Sequence, residues 1–191
     1  MSDFGIIGIG RIGTSMARNM SSKGIIVSLY DKSHNSLDNL KNDYPELKSS
    51  LVFDDINEFV SSISKPRKVL VLVPSGPALD EVISLLIQYL DSNDILIDGG
   101  NTNPNVSFEN HQTIKSKNLL YLGMGVSGGV KGVLEGPSIM IGGDTNAFDQ
   151  VKNIFSQITS KTINGSKSFE FFGDSNQGHF VKMIHIDVLY L

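Results

Sequence analysis

Short runs of β-branched and aliphatic residues alternate along the chain with longer segments whose apolar residues recur at helical spacing. The first apolar run, 4–9, precedes a helical pattern over 12–23, and a second run follows over 25–30. This alternation predicts an α/β fold, a doubly wound, mainly parallel sheet with helices on both faces. Further strands are predicted over 69–73, 95–98, 119–123, 138–141 and 169–172, and further helices over 79–90, within 103–117 and over 147–158, the last with Asn146 near its cap.

The final segment, 178–191, has the apolar pattern of a helix that continues without a stop signal. It ends on Val-Leu-Tyr-Leu, where a cap or a polar tail would be usual. The chain has 191 residues, enough for one large domain or for one domain with a fragment of another. We therefore expect a domain over 1–177 and, over 178–191, the start of a long connecting helix that the end of the chain interrupts.

Composition then narrows the class of protein. The formal net charge is −4, which provides no overall field to attract nucleic acid or an anionic membrane. The chain has no cysteine, which excludes disulfides and thiolate metal sites and favours a reducing compartment. No apolar run approaches the ~18 residues of a membrane span, and the N-terminus has no basic signal region. We expect a cytoplasmic protein with no metal site and with neither nucleic acid nor membrane as a partner.

The segment 8–13 reads Gly-Ile-Gly-Arg-Ile-Gly and lies between the first predicted strand and the first predicted helix. In that position the pattern is typical of a Rossmann-like dinucleotide-binding turn. The first glycine allows the tight turn, the second lets backbone amides approach a pyrophosphate, and the third lets the helix pack against the strand. The helix N-terminus then binds the anion. The residues that we assign to the cofactor in this turn are Gly8, Gly10, Arg11, Ile12 and Gly13.

An acidic residue follows the second predicted strand, at the spacing that this fold uses for the adenosine ribose. Asp31 can accept hydrogen bonds from the ribose hydroxyls, whereas a 2′-phosphate would bring like charges together. The predicted cofactor is therefore NAD or NADP, with NAD favoured. Lys32, also assigned to the cofactor, opposes this preference because its ammonium could neutralise part of an added phosphate. His34 and His111 have no partners nearby in the sequence and are predicted at the surface.

Two loops follow later strands at the carboxyl edge of the sheet, where ligands of open α/β folds bind. Asn101 comes after Asp98 and a pair of glycines, and it would present its amide to a substrate or to the nicotinamide. The segment 73–76 reads Val-Pro-Ser-Gly, and a turn without ligand contacts fits its spacing nearly as well as a cofactor loop. The residues of this turn that we assign to the cofactor are Val73, Pro74 and Ser75.

A third loop, 125–129, combines the Ser127 hydroxyl with the backbone amides of Gly128 and Gly129. Free amides beside a hydroxyl suit the carboxylate or hydroxyl oxygens of a small polar substrate. These three residues are therefore candidates for substrate binding.

A lysine lies within the otherwise apolar helix predicted over 178–191. Burial lowers the pKa of a lysine, so a neutral amine at Lys182 could accept a proton, and Lys182 is a candidate general base. The alternative is a lysine whose ammonium extends to solvent. At about 100° per residue, His185 and Leu189 share a helix face with Lys182, whereas Asp187 points elsewhere.

Six of these segments together resemble 6-phosphogluconate dehydrogenase, within the β-hydroxyacid dehydrogenase superfamily, over nearly the whole chain. The most specific of them is Gly-His-Phe-Val-Lys-Met, at 178–183. The related 3-hydroxyisobutyrate-type enzymes share the Ser-Gly-Gly element but are not expected to carry that run. The six segments are 8–13, 73–76, 98–101, 125–129, 136–138 and 178–185.

The resemblance implies an oxidoreductase of the pentose phosphate pathway. Such an enzyme oxidises 6-phosphogluconate by hydride transfer to NAD(P) and decarboxylates the 3-keto intermediate to ribulose 5-phosphate, with Lys182 removing the hydroxyl proton. The Val-Pro-Ser-Gly turn and Asp31 resemble the shorter, NAD-preferring branch. A homodimer is a further implication. The implied contacts to the sugar-acid phosphate substrate are Asn101, Ser127, Gly128, Gly129 and His185, with Tyr190 near its phosphate.

The chain departs from the family pattern after His185. The family continues Asn-Gly-Ile-Glu-Tyr, with the glutamate protonating the enediol, whereas 186–190 reads Ile-Asp-Val-Leu-Tyr. The acid position is thus Leu189, and Ile186 replaces a substrate-binding amide. The family also adds a helical C-terminal domain that supplies phosphate-binding cations and most of the dimer interface, and we expect that domain to be absent. We therefore predict a truncated, catalytically impaired chain. The alternatives are a non-catalytic dinucleotide-binding protein and a dehydrogenase of another 3-hydroxy acid.

Overall fold

In a computed structural model, the strands of the chain form one twisted sheet between two layers of helices. The structure describes residues 1–38, 40–174 and 176–189, without the side chains of 36 and 186–189. Within these ranges the sheet has eight strands in the order β3-β2-β1-β4-β5-β6-β7-β8. The strands are β1 (Phe4–Ile7), β2 (Val27–Tyr30), β3 (Leu51–Phe53), β4 (Lys68–Val71), β5 (Ile95–Asp98), β6 (Leu120–Ser127), β7 (Ser138–Gly143) and β8 (Phe169–Phe171).

The helices connect consecutive strands, except for the last one, which follows the final strand. A short 3₁₀ turn at Pro45–Leu47 adds to them. The α-helices are α1 (Arg11–Ser22), α2 (His34–Leu37), α3 (Leu40–Asp43), α4 (Ile56–Ser61), α5 (Pro77–Leu86), α6 (Pro104–Lys115), α7 (Gly129–Glu135), α8 (Thr145–Ile158) and α9 (Gln177–Leu189). In the part of the chain that the structure describes, no helix is both long and apolar enough to cross a bilayer.

Strand direction changes once along the sheet. Strands β1 to β6 run parallel to their neighbours, whereas β6 and β7 are antiparallel and β8 again runs parallel to β7. The first six strands therefore have their carboxyl ends at one common edge of the sheet. From β1, the strand order proceeds in one direction to β2 and β3 and in the other direction to β4, β5 and β6, so it reverses between β1 and β4. A ligand of an open α/β sheet binds at such an edge, beside the point where the strand order reverses. The predicted mainly parallel, doubly wound α/β sheet is confirmed.

Both faces of the sheet carry a hydrophobic core, as a doubly wound sheet requires. Leu70 packs in the core formed with α1 and α8, while its neighbours Val69 and Val71 pack in the core formed with α4, α5 and α6. Alternation along a strand sends successive side chains to opposite faces, and each face here is covered by helices. This explains why β4 reads as an unbroken apolar run rather than as an alternating one.

The predicted elements agree with the structure where their patterns are long. The predicted β5 has the observed bounds, α1 and α9 begin within one residue of their predicted starts, and β6 continues to Ser127 because it pairs with β7. Six of the described elements were not predicted: β3, α2, α3, the 3₁₀ turn, α4 and α7. None of them has more than seven residues, so their periodicity is too short to recognise, and two glycines in α7 lower its helix propensity.

The expectation for His111 is wrong, whereas Asn146 does lie near the cap of α8, two residues after the N-cap residue Asp144. The Asp144 side chain makes no capping hydrogen bond, and its Oδ2 instead accepts a hydrogen bond from the Tyr121 amide at 2.8 Å. The same oxygen lies 3.1 Å from Nε2 of His111, whose side chain is only 12% exposed and stacks on the Tyr121 ring. His111 thus makes a largely buried contact between α6 and the start of α8. His34, in contrast, is at the surface as predicted, with its side chain 76% exposed.

Candidate functional site

Two cavities open at the edge where β1, β4, β5 and β6 end, and they share the turn after β1. The smaller, of about 280 Å³, lies between the ends of β1 and β2 and helix α5. The larger, of about 1020 Å³, lies between α1, the ends of β4, β5 and β6, and helix α9. Gly10, Val73 and Pro74 line both of them. The arrangement offers one continuous surface for a ligand with two ends.

The turn after β1 is built by three glycines with different tasks. Gly8 has a φ of 91°, and its N–H donates to the Tyr30 carbonyl at 3.0 Å. A Cβ at Gly13 would overlap the Gly8 carbonyl oxygen, so only glycine lets α1 start so close to the strand. A Cβ at Gly10, in contrast, would meet no atom within 4 Å. The protein itself therefore leaves open the space beside Gly10.

Helix α1 begins at this turn with its amides uncapped by side chains. Gly10 is the N-cap residue and makes no side-chain cap, and the first turn contains no acidic residue. The first amides of an α-helix have no partner within the helix, and together with the helix dipole they attract anions. Arg11, Ile12 and Gly13 provide these amides at the wall of the larger cavity. The arrangement is suited to a phosphate group.

Asp31 is held in place by two backbone amides. Its Oδ2 accepts a hydrogen bond from the Ile9 N–H at 2.7 Å, and its Oδ1 accepts one from the Ser33 N–H at 2.8 Å. The first bond ties the end of β2 to the glycine turn. Each carboxylate oxygen keeps a further lone pair for a ligand hydroxyl. Asp31 and Lys32 both line the smaller cavity.

The rest of the smaller cavity is largely apolar. Tyr30 forms part of its wall and is backed by the Phe59 ring, with the two ring centroids 5.7 Å apart. A flat apolar slot beside a carboxylate suits an aromatic base attached to a ribose. The apolar side chains that complete the slot are Ile7, Ile56, Leu72, Ala78, Val82 and Leu85.

The larger cavity brings together side chains from distant parts of the chain. Asn101 comes from the loop after β5, Ser127 from the end of β6, and Lys182 from α9. Gly128 and Gly129, at the start of α7, lie between them in the cavity wall. An amide, a hydroxyl, an amine and backbone N–H groups therefore face one space. This donor set can bind several oxygens of a polar substrate at once.

Helix α9 reaches the cavity because glycines replace side chains on the strands beneath it. A Cβ at Gly125 would overlap the Cβ of Lys182, and a Cβ at Gly178 would overlap the carbonyl of Gly123. The step from Gly178 to Lys182 advances a helix by about 6 Å, and the step from Gly123 to Gly125 advances a strand by about 7 Å. Helix α9 therefore runs along β6 toward its carboxyl end. Burial in this position lowers the pKa of Lys182.

A buried hydrogen-bond chain connects α9 to the loop that carries Asn101. Nδ1 of His179 lies 2.9 Å from the Ser107 hydroxyl, which lies 3.0 Å from the Tyr121 hydroxyl. The Tyr121 hydroxyl donates to Oδ2 of Asp98 at 3.4 Å, and Oδ1 of Asp98 accepts the Gly100 N–H at 3.0 Å. Burial raises the pKa of Tyr121 well above its usual value and lowers that of His179. Both groups are therefore neutral members of a rigid support beneath the cavity.

All the residues assigned to the cofactor line one cavity or the other. Asp31 and Lys32 line the smaller cavity, and Ser75 and Asn101 line the larger one together with the amides of α1. Among the described residues around the larger cavity, Lys182 is present but His185, one turn further along α9, is not. Tyr190 lies outside the described residues.

Sequence reasoning missed the contribution of α5 to the smaller cavity. Val82 fits the apolar face of this helix, yet it lines the cavity, whereas Leu79 and Ile83 are buried in the core. Glu81 lies beside it and also lines the cavity. The apolar period identifies the face of a helix but does not separate its core side from its ligand side. The position of α5 directly after the 73–76 turn is the one signal that could have indicated this role.

Comparison with known proteins then identifies the family. A family model described as the NAD binding domain of 6-phosphogluconate dehydrogenase matches residues 3–166. The chain belongs to this family. A decarboxylating 6-phosphogluconate dehydrogenase from Staphylococcus epidermidis is 38% identical over 186 residues, which are 97% of this chain and 40% of that protein. One from Saccharomyces cerevisiae is 35% identical over 189 residues, 99% of this chain and 38% of that protein.

A solved structure of the same family has the same fold. The 6-phosphogluconate dehydrogenase of Plasmodium falciparum, described in its apo form, with its cofactor NADP⁺ and with its substrate 6-phosphogluconate, superposes with a TM-score of 0.93. It is 33% identical and matches 98% of this chain and 40% of its own. The chain thus corresponds to the Rossmann-like NAD(P)-binding domain of the family, and it spans about 40% of the length of the relatives it matches.

Proposed function

We propose that this chain binds a nicotinamide dinucleotide with its adenosine half in the smaller cavity and its nicotinamide half in the larger one. The open space beside Gly10, where the two cavities meet at the start of α1, carries the proposal. A pyrophosphate in that space would accept hydrogen bonds from the first amides of α1. The apolar slot beside Tyr30 is suited to the adenine, and Asp31 to the adenosine ribose.

The same residues support NAD over NADP as the preferred cofactor. The Asp31 carboxylate is fixed by the Ile9 and Ser33 amides, and it can accept hydrogen bonds from two ribose hydroxyls. A 2′-phosphate at that position would face this carboxylate and that of Glu81, and its only basic neighbour among the described cavity residues would be Lys32. The preference is therefore proposed from the charges around the adenosine.

Titration of NAD into the protein, followed by calorimetry, tests the binding proposal. We expect Gly10→Val to reduce the affinity at least about 100-fold, because its side chain would occupy the space assigned to the pyrophosphate. Stability should change little, because no atom beyond the two neighbouring residues of the chain lies within 4 Å of the Cβ position. Gly132→Val is the matched control, since the space around that glycine is also open and Gly132 is not among the described residues that line either cavity. Unchanged NAD affinity in Gly10→Val would contradict the assignment.

We further propose that the larger cavity holds 6-phosphogluconate and that Lys182 removes the proton of its 3-hydroxyl. The nicotinamide supplies the hydride acceptor for this oxidation. Asn101, Ser127 and the amides of Gly128 and Gly129 would bind the sugar acid, and Lys182 faces the same cavity. Burial favours the neutral amine that a base requires. The proposal extends to His185 and Tyr190 through the family pattern, in which these positions contact the substrate and its phosphate.

The family position of the acid is Leu189 in this chain, and we propose that the chain turns over slowly for that reason. A general acid usually contributes about 10²- to 10⁴-fold to a rate. We expect NADH formation from 6-phosphogluconate to lie at or near the detection limit for the purified chain. Rapid turnover that is lost in Lys182→Met would show that the chain is not impaired. NAD binding without any turnover favours the alternative of a non-catalytic dinucleotide-binding protein.

The protonation of Lys182 can be measured separately from activity. We expect the dimethylated amine of Lys182, followed by ¹³C NMR, to titrate below the ordinary lysine pKa, because burial penalises the ammonium. The signal is assigned by its loss in Lys182→Arg. Titration at the ordinary value would remove the electrostatic basis for Lys182 as the base, whether or not the chain binds NAD.

A further inference from the structure

An ion pair at the edge of the smaller cavity joins the loop after β2 to helix α5. Nζ of Lys32 lies 3.2 Å from Oε2 of Glu81, and both residues line the cavity. Both side chains are largely exposed, so the pair contributes little to folding. Among the described residues that line this cavity, Lys32 is the only basic one, while Asp31 and Glu81 are acidic. The ion pair therefore matters for the charge that it presents to a ligand in the cavity and not for the stability of the fold.

Substitution of Asp31 and of Glu81 should affect the structure of the cavity to different extents. The Asp31 carboxylate accepts two backbone hydrogen bonds that connect the glycine turn with the loop after β2, so its removal alters the turn itself. Glu81 projects from the exposed side of α5, and its side chain is 64% exposed. The hydrogen bond that the described structure gives its side chain is the one donated by Lys32. The charge of Glu81 can therefore be removed without disturbing the cavity.

We propose that Glu81 is a specificity-determining residue that favours NAD over NADP by pairing with Lys32. This inference rests on the proposed binding of the adenosine half in the smaller cavity. While Lys32 is paired with Glu81, the carboxylate offsets its positive charge and holds its ammonium toward α5. A 2′-phosphate would have to break that pair and would also meet the Glu81 charge, whereas a 2′-hydroxyl needs no cation. NAD binding is thus independent of the pair, and NADP binding competes with it.

The test is calorimetric titration of NAD and NADP into the wild-type chain and into Glu81→Gln at low and at physiological ionic strength. We expect Glu81→Gln to raise NADP affinity about three- to tenfold, because two unit charges a few ångströms apart at a surface interact on that scale. NAD affinity should stay within about twofold. The gain should be smaller at the higher ionic strength, since salt screens exposed charges. Glu170→Gln removes the same charge from β8, at the other edge of the sheet, and should change neither affinity.

A double-mutant cycle shows whether Glu81 acts through Lys32. Lys32→Met should weaken NADP binding. When Glu81→Gln is added to Lys32→Met, NADP affinity should rise by less than half as much as it does when Glu81→Gln is made in the wild-type chain. An equal gain in both backgrounds would mean that Glu81 repels the phosphate directly, and the pairing proposal would be overturned. It would also be overturned if Glu81→Gln left the ratio of NAD to NADP affinity unchanged. Absence of NAD binding by the wild-type chain would instead contradict the proposed function, so the two failures are distinguishable.

Discussion

The two cavities meet at one turn, but their walls come from very different lengths of chain. The smaller cavity is lined by residues between Ile7 and Leu85, supplied by consecutive strand-helix units. The larger one combines the turn at Gly10 with α9, so its wall includes residues from 10 to 182. The first is completed by neighbouring elements in the chain. The larger cavity forms only when α9 packs on β6, a strand that lies some fifty residues earlier in the chain.

Because of this difference, the residues proposed to bind adenosine and the residue proposed as the base lie in separately formed parts of the molecule. The smaller cavity contains the groups proposed to bind the adenosine half of the dinucleotide, and none of its described lining residues lies on α9. The proposed base, Lys182, reaches the larger cavity only through the close contact of α9 with β6. A change in that contact should therefore affect the larger cavity and spare the smaller one. Gly178→Ala tests this separation directly, and two further substitutions test contacts of β6, the strand on which α9 packs. They follow in decreasing order of their expected effect.

Gly178→Ala should disrupt the close packing of α9 against β6 and β7. The new methyl group would overlap the Gly123 carbonyl and lie 2.8 Å from both the Gly142 nitrogen and the Met140 oxygen, so backbone must move. We expect the free energy of unfolding to fall by about 3 kcal/mol, at the upper end of the range for overpacking. The affinity for 5′-AMP should be unchanged under native conditions. Gly132→Ala, at a glycine with open space around it, is the control for urea unfolding and should be neutral or slightly stabilising.

Loss of 5′-AMP binding in Gly178→Ala, at a temperature where the variant is folded, would show that the two cavities are not independent. Retention of both stability and binding would show instead that α9 is only loosely seated.

Tyr121→Phe should weaken the support beneath the larger cavity. The substitution removes the hydroxyl that donates to the buried Asp98 carboxylate and contacts Ser107. We expect a loss of about 1–2 kcal/mol in the free energy of unfolding, because the buried Asp98 side chain loses a hydrogen-bond partner. Tyr89→Phe, at a tyrosine that is 37% exposed, should cost much less. Equal costs for the two variants would contradict the importance of the buried hydrogen-bond chain.

Asp144→Asn should have the smallest effect, and one that depends on pH. Burial alone would raise the pKa of Asp144, but hydrogen bonds from His111 and the Tyr121 amide outweigh burial and lower the pKa below its usual value. A carboxyl with a lowered pKa stabilises the fold above its unfolded-state pKa, and this contribution is lost as the pH falls through the folded-state value. We expect a cost of about 1 kcal/mol at pH 6 that shrinks below about pH 4.

The control for Asp144→Asn is Asp149→Asn, which removes the same charge from an exposed position on α8. A difference between wild type and Asp144→Asn that stays constant from pH 6 down to pH 3 would rule out the charged carboxylate as the source of the stabilisation.

The sequence predicts the smaller cavity more completely than the larger one, for physical reasons. The glycine turn, Asp31 and α1 form a local pattern, and each of them has the position expected from spacing alone. The role of α5 was missed because hydrophobic period does not distinguish a core contact from a ligand contact, as Val82 illustrates. For the larger cavity, the candidate residues could be named individually. Their convergence depends on the seating of α9 on Gly125, which no local pattern encodes.

The buried pair of His111 and Asp144 illustrates the same limit. Each residue is unremarkable in its own segment, and the two are thirty-three positions apart. They meet because the antiparallel pairing of β6 with β7 returns the chain toward α6, so that the start of α8 lies against Tyr121. A reversal of strand direction is a property of the whole sheet. The two residues can be read from the sequence, but no local pattern predicts that they contact each other in the fold.

The seating of α9 along β6 also constrains where the chain tolerates insertions and deletions. One residue added between Gly178 and Lys182 would rotate the lysine by about 100° around the helix and take it away from the cavity. In the loop before β8, Ile163 is fully exposed, and a Cβ at Gly165 would meet nothing within 4 Å. Length changes during evolution should therefore collect in that loop, whereas the five-residue interval from Gly178 to Lys182 should keep its length even in relatives whose other residues there differ.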